Sequence, residues 1–390
     1  MPRALDRLDF LLCRPIVGLP VFFFVMYGVF FLSFSKPGEW MSGYTETILF
    51  GLTEALADFL LSAGTNPKAA SVINGILNNT ASVLAYLPQT AIFFFLIKGL
   101  EDCGYLSRVI FTADRFLSRF GLSGHALLPF LIGFGCYVPA MEASRTLTKN
   151  ERKILKDSLP FLICSARLPV LFFLCEAFFP KRKAFAAFAF YLLCAAVFFL
   201  SSLIASRGKA APPLAVLLPD FRLPKLRILF GEAWKKSRDY LIRTATVIFL
   251  CAVCLRICSI PISLTETEEP KNLLSLFGET LSFLFVPLGF GKPPFAAALF
   301  SGFFAKENLM FVMEMLSPKE ISSLLSLPAR ISFTAFSMLY LPCFSSAAAV
   351  CKEWGAKEMS VFLLRTFVTA YSISWILYTL SEILVAFVQN

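Results

Sequence analysis

The stretch from Pro129 to Arg145, PFLIGFGCYVPAMEASR, limits what this chain can become more than any other. It is apolar enough to enter a bilayer, yet Gly133, Gly135 and Pro139 fall within seven residues of one another. Pro139 lacks a backbone donor, and its ring crowds the preceding turn. Inside lipid a freed carbonyl costs several kcal/mol unless protein or a water-filled cavity satisfies it. Two readings follow. The segment is a glycine-packed, proline-kinked helix, or it is a broken helix that forms a binding site, with Cys136 at the break and Glu142 one turn on.

Composition settles the solvent. Of 390 residues 57% are hydrophobic and 16% charged, against about 45–50% and about 25% in soluble domains. This predicts an all-α polytopic membrane protein. The net charge of +10 belongs to short loops beside apolar spans, so it reports topology rather than affinity for nucleic acid. Most of the eleven cysteines lie in apolar runs, as small apolar residues or soft ligands and not as a disulfide framework. No cleavable leader is expected, because the first span follows Arg3, Arg7 and Arg14 and is long enough to remain as an anchor.

Charge then orders the chain into a basic cytoplasmic leader (1–15), a first membrane half (16–205), a basic cytoplasmic connector (206–243) and a second membrane half (244–390). Residues 16–34 form the first span. Residues 36–68, with Glu39, Glu46, Glu54 and Asp58, form a non-cytoplasmic segment, and 76–97 the second span. Residues 98–125 make a cytoplasmic amphipathic surface helix. Basic residues flank 127–144 on both sides, which predicts a re-entrant element; the alternative is a true crossing with one basic loop on the wrong side. Further spans are expected at 159–179, 185–205, 245–260, 296–316, 331–350 and 361–387, with a second broken element at 277–291. The total is about eight crossings plus two Gly/Pro-broken elements, with both termini cytoplasmic. A short echo between PFLICSARLPV and LYLPCFSSAAAV suggests an internal repeat.

Ionisable residues inside a membrane are functional candidates by default. Here they are Glu142, Arg167, Glu176, Lys306 and Glu307. Arg167 is either a counter-ion inside the bundle or a snorkelling side chain. Lys306 and Glu307 either satisfy each other or hold separate partners. Cys136, Cys164 and Cys343 each sit beside a helix break, where thiols and exposed carbonyls both suit cations. The stripe Cys251, Cys254, Cys258 reads as helix packing, since no His or carboxylate accompanies it. His125, the single histidine, is placed at a helix end. No phosphate-binding G-x-x-x-x-G-K-[ST] motif occurs, and no catalytic triad or paired-carboxylate arrangement stands out, so no enzyme activity and no cofactor are expected.

Taken together, LCRPIVGLPVFFFVM, YLPQTAIFFFLIKGLEDCGYLSR, GLSGHALLPFLIGFGCYVPAMEASRTL, PFLICSARLPV, LPKLRILFGEAWKKSRDYLIRTATVI, PLGFGKPPFAAALFSGFFAKE and MLYLPC resemble the membrane portion of ferrous iron transport protein B along almost the whole chain. The resemblance implies two gate regions related as inverted repeats. It implies Fe²⁺ as the transported ion, with Cys136, Cys164, Cys343 and Glu307 lining its path. Glu142 is added as a metal candidate, and Gly133, Gly135 and Pro139 as gate backbone. It also implies a bacterial inner-membrane homo-oligomer in contact with lipid, with small accessory proteins and no nucleic acid. Three departures accompany it. The family's amino-terminal GTP-binding domain has no counterpart in these residues, which predicts a GTPase on a separate chain. Tyr137 replaces the family's Asn, and Glu142 replaces an apolar residue. These changes keep two alternatives open: a gate-family carrier of another solute, such as a nucleoside or another metal, and a non-conducting membrane assembly protein.

Overall fold

A computed structural model describes residues 15–34, 36–62, 87–206, 261–262, 271–314 and 324–389, with a few isolated positions between them. The basic leader to residue 14, the connector beyond Ser206, nearly all of the 245–260 span and the Cys251–Cys258 stripe lie outside the described residues.

Helices dominate: α1 (Pro15–Phe34), α2 (Lys36–Ser62), α3 (Leu87–Asp102), α4 (Tyr105–Leu117), α5 (Leu127–Gly135), α6 (Tyr137–Ala143), α7 (Lys149–Ser158), α8 (Arg167–Phe178), α9 (Lys183–Ser206), α10 (Leu273–Phe285), α11 (Pro293–Phe304), α12 (Lys306–Glu314), α13 (Leu327–Leu339), α14 (Phe344–Trp354) and α15 (Ala356–Gln389). One antiparallel pair of two-residue strands, Pro261–Ile262 with Lys271–Asn272, accompanies them. Among the described residues three helical stretches are long and apolar enough to cross a membrane, Pro180–Ser206, Leu327–Trp354 and Ala356–Phe387. The number rises to five if each of two bent pairs is one span: Tyr105–Phe120 with Gly124–Gly135, bent by 99°, and Leu276–Leu288 with Pro293–Phe304, bent by 104°. The protein is thus a multi-pass membrane protein that is almost entirely helical among the described residues.

The chain divides into two compact units, Met1–Leu128 with Gly208–Val253, and Pro129–Arg207 with Cys254–Asn390. In the first unit α1 buries Phe22, Met26 and Val29, a stripe at helical spacing, and leaves Phe24, Tyr27 and Phe31 outward. Residues 98–125, expected as one amphipathic surface helix, divide into the end of α3, the amphipathic α4 and two 3₁₀ turns; α4 buries Tyr105, Leu106, Val109, Ala113 and Leu117 and exposes Phe111 and Phe116. Residues 36–62, for which the sequence suggests only a non-cytoplasmic position, form the 27-residue helix α2. After Pro37 in its first turn, nothing up to Ser62 interrupts the backbone ladder except isolated glycines, which helices tolerate.

In the second unit three expected continuous spans are each broken. The 159–179 span is a 3₁₀ turn (Leu159–Phe161), an unwound stretch and then the 12-residue α8. The 296–316 span divides at Ala305, and the 331–350 span divides at residues 340–343. A core of aromatic rings supports these breaks. Phe333 meets Phe295 and Phe290 at 5.1 and 5.2 Å between centroids, and Phe336 stacks on Tyr340 at 5.5 Å. Edge-to-face and offset contacts of this kind add about 0.5–1.5 kcal/mol each beyond burial.

Candidate functional site

The first break is one residue wide. Cys136 is extended (φ −158°, ψ 142°) between α5 and α6. The break therefore precedes Pro139, which sits third in α6 at a position whose N–H would have no intrahelical partner anyway. Glycine at 133 allows close packing, since a Cβ there would lie 2.9 Å from Leu159 Cδ2 and 3.3 Å from Leu162 Cδ1. The carbonyl of Gly135, released by the break, accepts from Ser165 twice, at 3.3 Å from its N–H and 2.8 Å from its hydroxyl. Ser165 belongs to the unwound stretch before α8, so one interruption caps the other.

Arg167 opens α8 with its guanidinium buried, only 3% of the residue exposed. It donates to the carbonyls of Pro160 at 2.5 Å and Leu162 at 3.3 Å, and to that of Tyr340 at 3.2 Å. Tyr340 begins the unwound turn between α13 and α14. A similar one-residue break occurs at Ala305, also extended (φ −143°, ψ 135°), between α11 and α12. The next residue, Lys306, is 4% exposed and donates to the Leu341 carbonyl at 2.7 Å, its ammonium 3.7 Å from the centre of the Tyr340 ring. The Tyr340 hydroxyl donates to Leu299 O at 3.0 Å. Tyr340 thus ties its own helix interruption to the one before α8 through its carbonyl and to the one at Ala305 through its ring, while its hydroxyl anchors to the interior of α11. Cations fill places where unwound backbone presents acceptors, as the desolvation cost of a bare buried carbonyl requires.

Cys164 and Cys343 lie in this neighbourhood, and Cys136 directly follows Gly135, whose carbonyl Ser165 caps. Cys136, Cys164 and Cys343 are each partly exposed. Cys343 Sγ is 3.1 Å from both Ser345 Oγ and Ser346 Oγ. The Cys164 thiol lies within electrostatic reach of Arg167, Cys343 and Lys306. Glu142 is half-buried near the end of α6 and interacts with Arg145. The side chain of Glu307 lies outside the described residues. Among the described residues no three His, Cys, Asp or Glu side chains gather into a metal-holding group. Glu176 is no buried carboxylate: it is exposed and pairs with Lys183 at 3.3 Å, across the turn from α8 to α9. His125 is exposed in a 3₁₀ turn, as a helix-end residue would be.

A second polar cluster ties α7 to the elbow between α14 and α15. Glu353 accepts from Arg145 at 2.6 and 2.9 Å and from Arg152 at 2.5 Å. Lys156 pairs with Glu358 at 2.7 Å, and Arg365 pairs with Asp157. Burial pushes the Asp157 carboxyl above its ordinary value, while Arg365 and Lys156 pull it down. The ring of Trp354 lies under both Arg152 and Lys156, at 5.3 and 4.8 Å. Gly355 makes the elbow at φ +87°, which favours glycine. Tyr137 belongs to this cluster: its hydroxyl donates to Lys156 O at 3.3 Å and its ring lies 5.8 Å from Phe362. Tyr137 therefore adds packing behind the break. Ser165 and Tyr340 were not singled out from the sequence. The only signal for them was their place beside Cys164 and Cys343 in the echoing motifs.

Residues 83–210 match a family model described as "Gate: Nucleoside recognition". The chain is 30% identical over 397 residues to "Fe(2+) transporter FeoB" of Staphylococcus aureus (strain MSSA476), covering 97% of this chain and 60% of that protein. It is 31% identical over 413 residues to the protein of the same name from Campylobacter jejuni, covering 97% and 65%. To that of Methanocaldococcus jannaschii it is 29% identical over 402 residues, covering 97% and 59%. The likeness to the membrane portion of ferrous iron transport protein B therefore runs through the chain nearly end to end. The chain spans about 60% of the length of the first curated relatives it matches. No solved structure matches.

Proposed function

We propose that this chain forms the membrane path of an Fe²⁺ uptake permease. The observation that carries the reading is the 97% coverage of the chain by relatives named as Fe(2+) transporters. The convergence of helix interruptions at Tyr340 supports it, because broken helices present carbonyls and half-helix ends where ions cross. In this reading Cys136, Cys164, Cys343, Glu307 and Glu142 meet the ion in turn, with partly exposed thiols suiting a borderline-soft divalent metal. Gly133, Gly135 and Pro139 shape the gate backbone. About eight crossings carry two gate elements as an inverted repeat, in a bacterial inner membrane with both termini cytoplasmic. A GTP-hydrolysing protein, small accessory proteins and self-association complete the working assembly.

The test is Fe²⁺ uptake into proteoliposomes, repeated with added GTPase and GTP. Uptake lost in Cys136→Ser and in Glu307→Ala is expected; wild-type uptake unchanged in both would overturn the assignment of residues. A second reading, a nucleoside carrier, is favoured by the description of the family that matches residues 83–210. Radiolabelled nucleoside flux with no Fe²⁺ flux would select it.

A further inference from the structure

We propose that Lys306 is a resident cation: its ammonium holds, at the unwound turn of residues 340–343, the backbone position that the transported cation takes when the path is loaded. The inference rests on the reading that a divalent cation is transported.

The turn exposes acceptors because α13 stops at Leu339 and α14 starts only at Phe344. The Leu341 carbonyl is taken by Lys306 at 2.7 Å, and the same ammonium lies 3.7 Å from the centre of the Tyr340 ring. A carbonyl oxygen and an aromatic face are both cation-attracting groups, and Cys343 follows two residues on with a partly exposed thiol. A second cation at the same carbonyl oxygen is repelled by the ammonium already bound there, and that repulsion grows as the dielectric falls. A metal entering at Leu341 and Cys343 therefore displaces the ammonium, and an empty turn is held closed by it.

Arg167 is the contrasting case. Its guanidinium is held by carbonyls from two separate segments, Pro160 and Leu162 on one side and Tyr340 on the other. Planar, forked and never deprotonated, it is a fixed fastener. Lys306 offers a compact charge on a flexible stem. It is the first residue of α12, directly after the extended Ala305, so a change of backbone angle at Ala305 would move it.

The experiment is Co²⁺ titration of the purified chain in lipid nanodiscs, read by thiolate-to-cobalt absorption, with Fe²⁺ flux measured on the same preparations. Lys306→Gln keeps a donor for Leu341 O without the charge; Lys306→Met is read in parallel in case one of the two fails to fold. Loss of the charge is expected to tighten Co²⁺ at least tenfold, and Lys306→Arg to leave it at or weaker than wild type. Adding Cys343→Ser to the Gln variant should remove the absorption band. Affinity unchanged or weakened in folded Lys306→Gln and Lys306→Met, with wild-type Fe²⁺ flux intact, overturns the inference alone. Absence of both Co²⁺ binding and Fe²⁺ flux from wild type and all variants overturns the transport reading and the inference with it.

Discussion

Replacing Arg167 by Leu should unfasten two of the unwound segments at once. The wild-type guanidinium makes three hydrogen bonds to carbonyls in a site where only 3% of the residue is exposed. Hydrogen bonds to a charged group contribute about 1.5–3 kcal/mol each, and a buried acceptor left alone costs about 1–3 kcal/mol. The three bonds share one donor group, so their losses do not add. A total of about 3–5 kcal/mol is expected, with the apolar Leu recovering part of the lost packing. For a cooperative unit of about 200 residues, each kcal/mol lowers the thermal midpoint by roughly 2–4 °C, which gives a fall of roughly 6–20 °C. Lys at this position keeps one compact donor group, which does not span carbonyls of both segments, and should fall between wild type and Leu. The assay is intrinsic-fluorescence melting in detergent, followed through Trp354 and Trp375. A Leu variant melting within 2 °C of wild type would refute the argument that Arg167 satisfies the freed backbone.

Three further outcomes follow from the same geometry. A Cβ at Gly302 would lie 2.6 Å from the Tyr340 hydroxyl, so Gly302→Ala should cost about 1–3 kcal/mol by overpacking, and Tyr340→Phe in the same chain should recover part of that loss in a double-mutant melting cycle. Glu353→Gln leaves Arg145 and Arg152 with a neutral acceptor in place of a carboxylate that is 13% exposed; melting should show a loss of about 1–2 kcal/mol and a weaker response to added salt than in wild type. Tyr137→Phe removes a single 3.3 Å hydrogen bond and keeps the ring against Phe362, so it should cost about 1 kcal/mol or less and leave Fe²⁺ flux unchanged; a tenfold loss of flux in a variant that melts normally would place Tyr137 on the ion path.

Much of the architecture is legible in the chain itself. A composition this apolar forces helices, because no other open structure satisfies its own backbone in lipid. The helix at 15–34 follows from its unbroken apolar character despite Pro20, the amphipathic α4 from its periodicity, and the long carboxy-terminal helix from the absence of proline and glycine within it. The motif GFGCYVP was enough to place an interruption near Cys136. Hydropathy did not reveal that three other apolar runs are interrupted as well. An apolar run reads the same whether its helix continues or stops, and the choice rests on whether the freed carbonyls find partners. Those partners are distant in sequence: Ser165 reaches back 30 residues to Gly135, Lys306 forward 35 to Leu341, and Arg167 forward 173 to Tyr340. The chain alone marks where the backbone is able to break. The tertiary structure decided where it does break, because only there are donors brought within hydrogen-bonding range of the acceptors a break leaves behind.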